Sequence, residues 1–119
     1  MRLLTKAIKT KLLKNGAVNN VHKSIDGNTE DFKPVVKFFG GAAGTWLISE
    51  MDPEDPDILF GLCDLGFGCP EMGSLSLSEL QAVKFKPFGL GIERDLYWSA
   101  NKTLTQYAEA AQSAGRIVA

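Results

Sequence analysis

Glu50, Asp52, Glu54, Asp55 and Asp57 place five carboxylates in eight residues, with Asp64 and Glu71 further on. Oxygen-rich clusters bind Ca²⁺ or Mg²⁺ because hard cations prefer hard ligands. The spacing is not that of an EF-hand loop, which needs a central glycine and a terminal bidentate glutamate at a fixed offset. Pro53 and Pro56 also stiffen the segment. A solvated turn is the plain reading. The sharper one is a partner-binding acidic face of Asp52, Glu54, Asp55 and Asp57, since a dense carboxylate loop can meet an Arg/Lys patch or imitate phosphates.

Cys63 and Cys69 could join only His22, the sole histidine, and a structural zinc site needs four N/S ligands. Buried thiols, or one buried and one in a loop, account for the pair. His22 has no evident nucleophile to serve, and no serine lies in a Gly-x-Ser-x-Gly elbow. Gly61, Gly66 and Gly68 lead into no Gly-Lys-Ser/Thr, so they read as turn residues. Glu93-Arg94-Asp95 sets two acids on one strand face and an arginine on the other, an arrangement that suits cross-strand ion pairing. No catalytic residue, metal site or cofactor is implied.

The charges are unevenly distributed. Residues 1–23 carry Arg2, Lys6, Lys9, Lys11, Lys14 and Lys23 and no acid, whereas residues 24–64 carry nine acids against Lys33 and Lys37. The net charge of -1 conceals this. A pI near 5.8 argues against bulk electrostatic binding to nucleic acid but leaves a local patch open. Lys6, Lys9, Lys11 and Lys14 form that patch. No run approaches the roughly 20 apolar residues that span a bilayer, and the amino terminus lacks the apolar core of a secretory signal. The expectation is a cytoplasmic protein with reduced thiols and no membrane partner.

The elements that must position these residues follow from periodicity. Leu4, Ile8 and Leu12 recur at helical spacing and predict an amphipathic helix over 3–14, stopped by Asn15-Gly16. Residues 15–32 read as a loop, with a short strand around 18–23. Residues 34–39 and 45–51 predict an antiparallel hairpin across the turn 40–44. Residues 52–57 read as a loop, because two prolines oppose a ladder. Residues 58–64 predict a central strand, and 66–73 a turn-rich crossover. Ser76 and Glu79 form a capping box opening a short helix over 77–83. Residues 90–98 predict a last strand. Thr103 and Gln106 open a closing helix with Leu104, Tyr107, Ala108 and Ala111 on one face, ended by Gly115. Trp46 and Trp98 are core candidates. At 119 residues, 1–119 is one small α+β domain with a mostly antiparallel sheet.

Val35-Val36-Lys37-Phe38-Phe39, Thr45 through Asp57, and Phe60-Gly61-Leu62-Cys63-Asp64-Leu65-Gly66 form ordered blocks. So do Cys69-Pro70-Glu71-Met72-Gly73, Ser76 through Leu80, Ile92 through Leu96, and the ending Tyr107-Ala108 through Ile117. From Leu3 to Ile117 the chain resembles an uncharacterised bacterial family, the domain of unknown function 2958. Where relatives carry an aromatic or β-branched residue after Gly73, this chain has Ser74-Leu75. The resemblance implies a place among the cargo of plasmids, integrative elements and phages. It supplies no catalytic or binding residues.

The expectation is an accessory or interaction protein, more a binder than an enzyme, that meets another protein through its acidic face. The alternatives are a nucleic-acid accessory using the basic helix, and a divalent-metal-dependent enzyme of the carboxylates with Cys63 nearby.

Overall fold

The computed structural model describes residues 3–40, 44–83 and 91–119. In chain order it has α1 (Lys6–Ile25), β1 (Val36–Gly40), β2 (Gly44–Asp52), β3 (Asp55–Asp64), β4 (Glu71–Ser76), α2 (Leu77–Ala82), β5 (Glu93–Arg94) and α3 (Leu104–Ala114). The five strands form one antiparallel sheet in the order β4-β3-β2-β1-β5. The α+β expectation holds, as does the β1–β2 hairpin. No described helix is long and apolar enough to cross a membrane.

Alternation along the strands gives the sheet two apolar faces. Val36, Phe38, Trp46, Ile48, Met51 and Leu59 pack with Leu12 of α1 and Leu80 of α2. Leu47 and Leu62 point the other way, against Leu104, Tyr107, Ala108 and Ala111 of α3 and against Ile117. Trp46 is core, whereas Trp98 is half-buried with its ring 6.0 Å from that of Tyr107.

The first helix is longer than its apolar stripe predicts. It does not stop at Asn15-Gly16 but runs to Ile25, absorbing the loop and the short strand expected over 15–25. Gly16 is no C-cap, for its φ is not positive. A Cβ there would collide with the Met51 carbonyl oxygen, so glycine lets the helix backbone rest on β2. Asn15 and Asn19 are buried and bond into the sheet. The helix ends where Gly27 turns left-handed at φ 75° and its N–H, with that of Asp26, bonds to the His22 carbonyl.

The acidic segment is a hairpin turn rather than a free loop. Asp52 pairs with Asp55 around Pro53-Glu54, and β3 begins at Asp55. Pro53 occupies the turn. Pro56 falls in the irregular stretch between the Met51–Leu59 and Asp52–Asp55 pairs, where no ladder bond is required of its nitrogen. The expected crossover over 66–73 instead ends in a strand, β4, returning antiparallel to β3 as the sheet edge. Glycine and serine in Glu71–Ser76 mask it in a sequence reading. Of the strand expected over 90–98, only Glu93–Arg94 pairs, with β1, and position 90 lies outside the described residues. So do positions 41–43 of the expected turn and 84–90.

The α3 capping box forms as expected, whereas at α2 only the serine half forms, with no described N–H donating to the Glu79 carboxylate. Ser76 Oγ accepts from the Glu79 N–H to open α2. Thr103 Oγ1 accepts from Gln106 N–H at 3.3 Å, and the Gln106 side chain accepts from Thr103 N–H at 2.9 Å. Gly115 closes α3 at φ 74°. Thr103→Ala is expected to lower stability by about 1 kcal/mol, seen as a lower urea midpoint with an unchanged slope.

Candidate functional site

The β2–β3 hairpin holds its own carboxylates in place. Asp52 Oδ1 accepts from the Glu54 N–H at 2.9 Å and from Asn20 Nδ2 at 3.2 Å. Those two bonds, the Glu54 one first, hold the Asp52 carboxyl below its usual range. Asp55 Oδ1 accepts from the Asp57 N–H at 3.3 Å. Glu54 and Asp55 are exposed. Neither forms an ion pair with a described residue.

Asp57 has a different task. Its Oδ2 accepts from the Ser76 hydroxyl at 2.6 Å and the Ser78 hydroxyl at 3.0 Å, and its Oδ1 accepts from Ser78 N–H at 2.8 Å. It anchors the first turn of α2. Ser76 foremost, then the Ser78 amide, lower its pKa. That contribution to stability is present above the ordinary aspartate pKa and is lost as pH falls through the lowered one. Of the four acidic-face residues, Asp52, Glu54 and Asp55 therefore share the hairpin turn, and Asp57 is turned inward to α2.

A second group centres on Glu50, one of the five carboxylates clustered in the sequence but not part of the expected acidic face. Glu50 lies one residue past Ser49, where the β2 register shifts, and is only 9% exposed. Asn19 of α1 donates from Nδ2 to Glu50 Oε2 at 2.8 Å. The same amide bonds the Glu30 carbonyl at 3.1 Å, and Asn19 Oδ1 accepts from the Glu30 N–H at 2.7 Å. Burial, opposed by the Asn19 bond and by Lys23, pushes the Glu50 carboxyl up. Glu50 opens on a cleft of about 170 Å³ lined also by Glu30, Asp31, Phe32, Phe60 and Thr105. On its other side a hollow of about 60 Å³ is lined by Glu50, Asp52, Lys23 and Ser74. Ser74 and Glu50 thus line the same hollow. Asp31 Oδ1 accepts from the Thr105 N–H at 3.0 Å. Its burial raises its pKa, but the bonds from Thr103 and Thr105 outweigh this and leave the carboxyl lowered. The available signal was a polar Ser-Glu pair interrupting the apolar run of β2, opposite Asn-rich turns of α1.

The remaining candidates scatter. Lys6, Lys9, Lys11 and Lys14 are all exposed on α1. Lys6 and Lys9 border a groove of about 390 Å³ that also touches Pro56 and Leu77, so the basic helix and the acidic hairpin are neighbours. His22 Nε2 lies 3.9 Å from Glu30 Oε1. Cys63 is half-buried and Cys69 exposed, both free. Burial pushes the Cys63 thiol up, and Asp64 and Glu71 add to this, so it is not poised as a thiolate. Asp95 pairs with Lys37 at 3.9 Å, and Arg94 Nη1 donates to the Leu3 carbonyl at 3.2 Å. Among the described residues no three His, Cys, Asp or Glu side chains converge to hold a metal ion.

A family model described as a protein of unknown function, DUF2958, matches residues 3–118. The chain belongs to this family. The DUF2958 match takes in α1, all five strands and α3, so the hairpin and the Glu50 cleft both lie inside the family domain. No curated protein matches the chain. No solved structure matches it.

Proposed function

We propose that this DUF2958 protein is a non-catalytic interaction protein that binds a basic partner protein through the β2–β3 hairpin. The mobile-element setting implied by the resemblance would make it an accessory of a plasmid, integrative element or phage, working in the cytoplasm. The observation that carries the reading is the state of the hairpin carboxylates. Glu54 and Asp55 stand exposed at a stiff, proline-containing turn, with Asp52 at its base and no ion pair to any of them from a described residue. A rigid turn loses little entropy on binding, and unpaired carboxylates steer a basic surface.

The test is recovery of partners on the tagged protein from its own host, with and without nuclease, at low and moderate salt. The expected result is a protein partner that survives nuclease, is weakened by salt, and is lost from an Asp52→Asn/Glu54→Gln/Asp55→Asn variant. Unchanged binding and salt dependence in that variant would overturn the reading. The second reading, a nucleic-acid accessory, draws on the four exposed lysines of α1. Its mark is nuclease-sensitive recovery of nucleic acid with affinity falling steeply as salt rises.

A further inference from the structure

We infer that the Glu50 cleft is a binding site for an alkylguanidinium group, supplied by an arginine side chain of the partner. Glu50 is nine-tenths buried, yet Asn19 engages only Oε2. No described residue donates to Oε1. Glu50 lines the cleft, and a largely buried carboxylate with one acceptor oxygen unengaged favours a cationic donor. Its burial-raised pKa agrees with this, because a bound cation would offset the desolvation.

Three features select the ligand. At about 170 Å³ the cleft is below the roughly 300 Å³ where sites for whole drug-sized ligands begin, so it suits one end group. No three acidic side chains among the described residues converge on one point, which disfavours a bare metal ion and suits a wider, planar cation. Phe32 and Phe60 add aromatic walls, on which guanidinium stacks better than ammonium. Glu30 and Asp31 also line the cleft and add negative potential, although the Glu30 carboxylate lies near His22 and Asp31 is held by the start of α3. Lys23 attracts Glu50 from the neighbouring hollow but lies outside ion-pair distance.

The source of the cation rests on the partner reading, but the site can be tested without a partner. The probes are propylguanidinium chloride and the peptide acetyl-Gly-Arg-Gly-amide, titrated into the ¹⁵N-labelled full chain against matched sodium chloride. Both are expected to shift the Asn19 side-chain amide and the amides of Glu30, Asp31 and Thr105 saturably. Glu50→Gln should weaken both by at least about tenfold, while Glu54→Gln/Asp55→Asn changes neither. With the native protein, binding should fall as pH drops through the raised Glu50 pKa, while Asp31 and Asp52, whose pKa values are lowered, keep their charge. That titration decides the matter if Glu50→Gln does not fold. No saturable shift, or shifts that survive both Glu50→Gln and acid, would overturn the site. Binding of propylguanidinium without the peptide would overturn the arginine source. A failed hairpin test with intact guanidinium binding would sink the hairpin reading alone.

Discussion

Gly16→Ala is expected to destabilise the protein by roughly 1–3 kcal/mol, the range for overpacking a tight contact. Helix propensity by itself gives the opposite sign, since alanine in a helix interior is better than glycine by about 1 kcal/mol. The two effects compete, and geometry decides between them. The new methyl would drive into the Met51 carbonyl oxygen and carbon and approach Pro53 Cδ. The obstacle is strand backbone rather than the end of a flexible side chain, so α1 must lift away from β2. Lifting it also strains the Asn15 Nδ2 bond to the Ser49 carbonyl at 3.0 Å and the Asn19 bond to Glu50. Urea unfolding at neutral pH reads the sign directly. A stabilised Gly16→Ala would show that α1 does not rest on β2 as closely as described.

Asn19→Ala has the other large expected effect, a loss on the order of 3 kcal/mol at neutral pH. One side chain makes three bonds, two to the Glu30 backbone and one to the Glu50 carboxylate. Removing it leaves Glu50 buried with no described donor, and a charge left so is more costly than a lost neutral bond. The loss depends on pH. Burial already raises the Glu50 pKa, so the folded protein binds this proton more tightly than the unfolded chain does. Stability from this group therefore falls as pH rises from the ordinary glutamate pKa through the raised one. Without Asn19 the folded pKa climbs further and the fall deepens. The gap between native and variant should be widest at neutral pH and narrow near ~pH 4, where Glu50 is protonated. What remains in acid is the loss of the two Glu30 backbone bonds. Acid effects of Asp31, Asp52 and Asp57 act on both proteins alike and cancel in the comparison. A gap that is constant with pH would show that Asn19 does not support the ionised form of Glu50.

Local chemistry legible in the sequence survives in the structure wherever neighbours in the chain supply it. The Thr103–Gln106 box, the Ser76 cap, the Gly115 stop and the buried face Leu104, Tyr107, Ala108, Ala111 each depend on residues within a turn or two of one another. The β1–β2 hairpin is equally local. The same reading fails at Asn15-Gly16, because the residues that give those two a helical role, Ser49 and Met51, lie more than thirty positions away. Gly16 and Gly27 are the same amino acid after a polar residue. Only contact with β2 makes the first a packing surface, and only a left-handed φ makes the second a stop.

The candidate site divides along the same line. Composition and order were enough to point to Asp52, Glu54 and Asp55, since charge density and prolines are properties of a short segment. That Asp57 anchors α2 depends on Ser76 and Ser78, about twenty positions on, which β4 brings alongside β3. Glu50 looked like one more member of an acidic run. Its burial, its Asn19 partner and its cleft exist only after α1, the segment after α1, and α3 close around the shifted register of β2. The chain by itself determined the β1–β2 hairpin, the Ser76 and Thr103 caps, the Gly115 stop and the acid density of residues 50–57, because these are set by short-range sterics, hydrogen bonds and composition. The tertiary structure alone decided which carboxylate is exposed, which anchors a helix and which is buried, because desolvation and hydrogen-bond partners are supplied by residues distant in sequence.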